Sequence, residues 1–251
     1  MLKSDIQLSA EAIKVRGMLG YDNRQPIAIT NAILNCPEYT LIRMAFTTDI
    51  SGMSIMEAGS KIIAVNTAMS LGRQRFSAAH ELYHVEVEKS SAGTICKSGY
   101  DDKKSDSEME ADKFASYFLM PYDGMEWYIG QHHIEQWNKE QIFGLSQYYR
   151  MSFMAVIVRL YQEKRITRSE YELLKYVDVQ KEAMTISVAE PELYQPNESF
   201  RQYRVDGQYI QLMELLKPTG AISESRYGQF AREAFMDDRL KILEKGVMYN
   251  D

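Results

Sequence analysis

The sequence predicts an α+β fold: a mostly helical core with a small sheet packed beside one motif-bearing helix, followed by a mixed C-terminal appendage. Two observations carry this expectation. Helical stretches bounded by caps and breakers fill most of residues 4–165, whereas branched and aromatic residues gather in two short runs, Tyr39 to Phe46 and Lys61 to Asn66. After Arg165 the pattern changes to shorter helical and strand-like pieces interrupted by Pro191 and Pro196.

Residues 4–20 place Ile6, Ala10, Ile13 and Val15 at helical spacing and run into Gly17, Gly20 and the turn-prone Asp22-Asn23. Pro26 starts a second short helix that reaches about Asn35, where Cys36-Pro37 stops it. Tyr39 to Phe46 reads as a strand and Lys61 to Asn66 (KIIAVN) as a better one, with the glycines and serines of Asp49 to Gly59 suited to a loop or hairpin between them. Phe76 to Glu88 contains neither glycine nor proline, and Ser77 stands where a helix N-cap is favourable. Residues 89–104 are polar and glycine-bearing and read as a loop. A second helix runs from Ser105 or Asp106 to about Met120, ended by Pro121. More helix follows through Trp127 to Tyr149, and Ser152 caps another from Phe153 to Glu163. Beyond lie a polar helix to about Tyr176, a strand-like MTISVA at 184–189, a strand-like Tyr203 to Val205, helical stretches near 208–217 and 223–236, and a tail that reads as a frayed helix.

Composition narrows the function. The chain has 251 residues, 45% of them hydrophobic and 25% charged, which suits one good core with room for a smaller second one. A formal net charge of −6 argues against general polyanion binding, because phosphate contacts need a basic surface. The first residues carry Asp5 and Glu11 and no apolar run typical of an export signal, and no run approaches the roughly 20 apolar residues that span a bilayer. The expected compartment is therefore the cytoplasm, without membrane association. Cys36 and Cys96 have no metal-type spacing and read as plain residues outside any disulfide framework.

His80-Glu-Leu-Tyr-His84 sets two imidazoles one helical turn apart, so both can converge on one ion with Glu81 beside them, the geometry of zinc hydrolases. A catalytic zinc site wants a third protein ligand and an open position. Downstream, Glu108, Ala111, Asp112, Ala115 and Leu119 fall on one helical face. Its alanines allow close approach to the His80 to His84 helix, so Glu108 can reach the metal and Asp112 can fix the tautomer of a ligating histidine. Glu110 points about 160° away and is the weaker candidate. Charge at a helix N-terminus also explains Glu108 and Asp112 when taken alone. A bound zinc would acidify a water, with Glu81 as the general base. Tyr83, His132 and His133 are candidates for oxyanion or substrate contacts; as adjacent residues, at most one of the last two can serve.

These blocks carry a resemblance. RQRFSAAHELYH followed by EMEADKFASYFLMP resembles the ImmA/IrrE-type metallopeptidases, and ISGMS through KIIAVN resembles the strand, turn and strand upstream of that family's metal helix. Over roughly residues 5–165 the resemblance implies a zincin with one Zn²⁺ per chain held by His80, His84 and Glu108, with Glu81 as base and Asp112 as the partner behind a ligating histidine. Two departures stand out: Tyr83 where a glycine is common, which narrows the space near the metal, and Phe118 in place of a leucine. The implied substrate is a specific protein, a helix-turn-helix repressor of DNA, in regulation of a mobile element or a stress response. The expected organisation is a zincin-like domain over 1–168, including a C-terminal helical pair, and, from the change of pattern after Arg165 rather than from the resemblance, a mixed appendage over 169–251 for substrate binding or regulation.

Residues 138–165 also read as helix, tight turn, helix. Phe153, Met154, Val156, Ile157 and Val158 leave little room for base-reading side chains on the second helix, so a structural role is expected and direct nucleic-acid binding is not. The alternative to a peptidase is a non-catalytic, metal-dependent regulator that binds a partner protein or DNA; an intact Glu81 weighs against it.

Overall fold

The structure is a computed structural model that describes residues 2–46, 49–89, 93–97, 104–196 and 203–236. It opens with α1 (Asp5–Met18), started by a reciprocal cap between Ser4 and Gln7. The helix buries Leu8, Ala12, Val15 and Arg16, while Ile6, Ala10 and Ile13 of the expected apolar face are exposed. Arg16 selects this face: its guanidinium is fully buried and donates to the carbonyls of Phe118, Asp22 and Gln25 at 2.5–2.8 Å, so its charge meets oriented carbonyl dipoles. A second anchor lies at the other end, where Lys3 Nζ donates to Glu110 and Tyr83 at 2.8 Å.

After α2 (Ile29–Leu34) come β1 (Tyr39–Met44), β2 (Ile50–Glu57) and β3 (Ser60–Asn66). Asp49 to Gly59 is mostly strand β2, closed onto β3 by the two-residue turn Ala58-Gly59, both with positive φ, as a tight hairpin requires. The region read as a loop over 89–104 holds a short strand, β4 (Thr94–Lys97). With β5 (Arg204–Gly207) these form one mixed sheet in the order β4-β2-β3-β1-β5, in which only β1 and β3 run parallel.

The motif helix α3 (Leu71–Tyr83) begins earlier than expected, so Ser77 lies inside it, buried. Gly72 permits this start: a Cβ there would come within 2.7 Å of the Leu193 carbonyl and the Ser152 amide. The helix runs on into a π-helical turn, His84–Glu88. Against it packs α4 (Asp106–Leu119), with Ala111, Phe114, Ala115, Phe118 and Leu119 all fully buried.

The helix expected over 127–149 is two, α5 (Tyr122–Gln131) and α6 (Lys139–Tyr149). His133 turns the chain with a positive φ, and Asn138 and Gln141 cap the new start reciprocally. α7 (Phe153–Gln162) follows, with Phe153, Val156, Ile157 and Leu160 buried; the helical pair thus supports the core. Then come α8 (Arg168–Lys175) and α9 (Val179–Thr185). The strand expected at 184–189 is absent, because the Asp178 side chain caps a helix that buries Ala183, and Ser187 turns away with positive φ. Two last helices, α10 (Gln208–Leu216) and α11 (Glu224–Glu233), pack through Met213, Tyr227 and Ala231. The tail from 241 onward lies outside the described residues.

β5 joins the sheet antiparallel to β1, from Arg43↔Arg204 to Thr40↔Gly207. Gly207 has φ +88°, and a Cβ there would fall 2.2 Å from the Tyr39 carbonyl oxygen. Gly207→Ala is expected to lower stability by about 1–3 kcal/mol, read as a lower midpoint in urea. An unchanged midpoint would mean that β5 adds nothing to the sheet's hold.

Candidate metal centre

The sheet fixes α3 by its far end: Glu86 of the π-turn accepts from Tyr39 of β1 and from Lys61 of β3, the latter at 2.6 Å. Along the helix His80 and His84 present their Nε2 atoms 3.3 Å apart, and α4 brings Glu108 over them, 3.2 Å from His80 Nε2 and 3.4 Å from His84 Nε2. The close packing of α4 through Ala111 and Ala115 makes that reach possible.

Each imidazole is pinned from behind. His80 Nδ1 lies 3.0 Å from Asp112 Oδ1, with Asp112 Oδ2 accepting from Lys104, and His84 Nδ1 lies 2.6 Å from Glu88 Oε2, with Glu88 Oε1 accepting from Ser107. A carboxylate at Nδ1 holds the proton there, so both Nε2 lone pairs face one point together with the Glu108 carboxylate. Three electron-rich groups at such separations repel unless a cation or proton sits among them. Cys96 Sγ joins them, 3.7 Å from His84 Nε2 and 3.6 Å from Glu108 Oε1, and one donor atom from each of the four residues lies within 4.8 Å of every other. Zinc bonds of about 2.0–2.1 Å to nitrogen or oxygen and about 2.3 Å to sulfur give tetrahedral edges of about 3.3 and about 3.6 Å. The donor set fits a metal ion of that size.

The charges agree. Burial pulls the His80 pKa down, but hydrogen bonds to Asp112 and Glu108 outweigh it and push it up to about 9. Glu108, against its own burial, is held well below the usual carboxylate range by the two histidines. Below pH 9 a metal must therefore displace a proton from His80. Apparent metal affinity is expected to climb about tenfold per pH unit between pH 6 and 8 and to level off toward 9, as titration against a competing chelator would measure. A flat profile would contradict proton competition at His80.

Glu81 is fully buried on the sheet side, and burial raises its pKa most. Ser54 Oγ of β2 donates to its Oε2 at 2.7 Å, while Oε1 has no partner of good hydrogen-bond geometry; the Cys96 thiol lies near enough to stabilise its charge. Gly52 leaves the space for Oε1, since a Cβ there would stand 2.7 Å away. A cleft of about 470 Å³ opens beside the cluster, with His80 and Asp112 in one wall and Arg73, Phe76, Met154 and Val158 among its other lining residues.

Other sequence candidates lie elsewhere. Tyr83 is buried with its hydroxyl on Glu110 and Lys3, away from the donor cluster. Glu110 accordingly faces this pair rather than the histidines. His132 is exposed and stacks at 4.1 Å on Tyr128, and His133 is exposed at the turn after α5; neither joins the cluster. Three residues of the centre escaped sequence reasoning. Glu88 had a legible signal, its i,i+4 spacing from His84. Ser54 and Cys96 had none, since the pairing of β2 with β3 and β4 places them. The reading of Cys96 as a plain residue is corrected here: β4 carries its thiol into the donor cluster.

The model of the family described as the IrrE N-terminal-like domain (Peptidase_M78) matches residues 40–161, which contain every donor residue named above. No curated protein matches the chain. Among solved structures, one described as a Mycobacterium tuberculosis transcriptional regulator aligns with 16% identity and a TM-score of 0.41, over 62% of this chain and 46% of that one. The chain thus spans less than half the length of that structure. Among the described residues no helix is long and apolar enough to cross a membrane.

Proposed function

Residues 40–161 are an IrrE N-terminal-like domain of the Peptidase_M78 family, and on that premise we propose that the protein is a zinc-dependent endopeptidase that cleaves a specific protein, a DNA-binding repressor. The single observation that carries the reading is the convergence of two carboxylate-backed Nε2 atoms and Glu108 beside a buried, half-unpartnered Glu81. His80, His84 and Glu108 would hold the metal. When bound, the metal supplies the Lewis-acid charge that makes water a nucleophile near neutral pH and polarises the scissile carbonyl.

The chain's own residues do the rest. Ser54 fixes one carboxylate oxygen of Glu81, so the other is aimed and free to accept the nucleophile's proton. Burial raises the proton affinity of that carboxylate, which suits it to take the proton and then pass it to the leaving amine. Asp112 and Glu88 keep both imidazoles in the metal-binding tautomer. The cleft lined by His80, Arg73, Phe76, Met154 and Val158 offers apolar and cationic contacts for substrate side chains flanking the cut. The repressor as substrate rests on the family resemblance, and the cytoplasm as the place of action on the sequence, whose first residues show no apolar run typical of an export signal.

One observation favours a second reading, a non-catalytic metal protein that binds a partner: Cys96 supplies a fourth donor where a hydrolase needs an open position. Comparison of new protein N-termini in cells making the wild type or Glu81→Gln separates the two. Cut sites present only with the wild type are the expected result; identical N-termini in both would overturn the peptidase reading.

A further inference from the structure

β4 is a four-residue edge strand held to the sheet, among the described residues, by an antiparallel ladder on β2, with a register irregularity between Ile50 and Gly52, and by a hydrogen bond from Ser51 Oγ to the Cys96 carbonyl. Its apolar Ile95 points outward, 61% exposed, whereas Cys96 is buried, 2% exposed, with its thiol against the two ligand residues. Little apolar burial therefore holds this strand in place. The stretch of β2 that it covers, Gly52 to Ser54, is also the stretch that touches Glu81 through the Gly52 gap and the Ser54 hydrogen bond. Main-chain groups along that edge are what an extended peptide pairs with when it adds to a sheet.

We propose that Cys96 is a fourth, displaceable ligand of the metal, and that β4 occupies the place where the substrate's backbone adds to β2, so that this form of the protein is closed and latent. The inference rests on the metal-centre reading above. The donor distances support it: the two sulfur contacts, 3.7 and 3.6 Å, match a tetrahedral edge to sulfur as well as the nitrogen and oxygen separations match theirs. The Cys96 thiol also lies beside the Glu81 carboxylate, whose buried Oε1 has no other partner of good hydrogen-bond geometry among the described residues. On opening, a metal held at the site would lose Cys96 as a ligand, and the thiolate so released would take a proton from solvent. The coordination position and the β2 edge then become free together, beside the base. A substrate offering an extended segment makes both exchanges in one movement, which restricts cutting to chains that can present a strand.

The test uses the full chain loaded with Co²⁺ in place of zinc, as wild type, Cys96→Ala and Cys36→Ala. A near-ultraviolet thiolate-to-cobalt charge-transfer band is expected in the wild type and in Cys36→Ala. Cys96→Ala should still take up one cobalt per chain but lose the band and show weaker visible absorption as water replaces sulfur. In the zinc-loaded proteins, amide exchange at residues 94–97 should be at least about tenfold faster in Cys96→Ala. One cobalt per chain without the band in the wild type, or a band that survives in Cys96→Ala, would overturn the ligand assignment and leave the metal-centre reading standing. Unchanged exchange at 94–97 would overturn the displaceable strand. No cobalt uptake by the wild type would sink the metal centre itself, and this inference with it.

Discussion

Glu81→Gln is expected to keep the metal at its wild-type level and to slow cleavage of the natural substrate by about 10²- to 10⁴-fold. The change is isosteric, so the cavity at Gly52 still holds the side chain and Ser54 still finds an oxygen to donate to. What disappears is the ability to accept a proton. The expected loss, about 3–5 kcal/mol of transition-state stabilisation, should fall on kcat in single-turnover measurements, because the amide binds substrate as the carboxylate does. A variant that cleaves within threefold of the wild type would place the base elsewhere.

The second large effect concerns the metal. One zinc per chain is expected in the wild type, and His80→Ala or Glu108→Ala should each weaken it by about a hundredfold or more, since either removes a nitrogen or oxygen donor that the displaceable Cys96 does not replace. Asp112→Ala removes only the hydrogen bond behind His80, so a loss of about 10- to 100-fold is expected. The ordering is the diagnostic, measured by competition with a chelating dye, with thermal melts of the metal-free proteins to exclude unfolding. Glu108→Ala retaining wild-type affinity would show that α4 contributes no ligand.

Much of this centre was legible because it lies on two helices. The four-residue spacing of His80 and His84, and the common face of Glu108, Ala111, Asp112 and Ala115, translate into geometry by helical period alone. What failed to show was what depends on pairing between strands. β2 looked like a loop because Gly52 and Ser54 serve the buried Glu81 rather than strand propensity, and β4 looked like a loop because so short an edge strand carries no periodic signal. Cys96 was illegible for the same reason. The MTISVA stretch failed in the opposite direction: its branched residues favour a strand, but the Asp178 cap and the burial of Ala183 decide for a helix.

β5 has a bearing on how the molecule comes to exist at all. The far edge of β1 is completed by residues more than 160 positions downstream, Thr40 with Gly207 and Arg43 with Arg204, backed by the Arg43–Asp206 ion pair and the Tyr209 amide on Thr40. While the chain is being synthesised, α3, α4 and the three-stranded β1–β2–β3 unit can assemble first, leaving this edge of β1 with bare main-chain groups until residues 204–207 emerge. Contacts of such sequence separation form slowly, and an unpaired strand edge invites association between nascent chains. The C-terminal segment therefore acts as a finishing clasp, and truncation before Arg204 should show itself as insoluble protein at the ribosome rather than as a soluble fragment of altered activity.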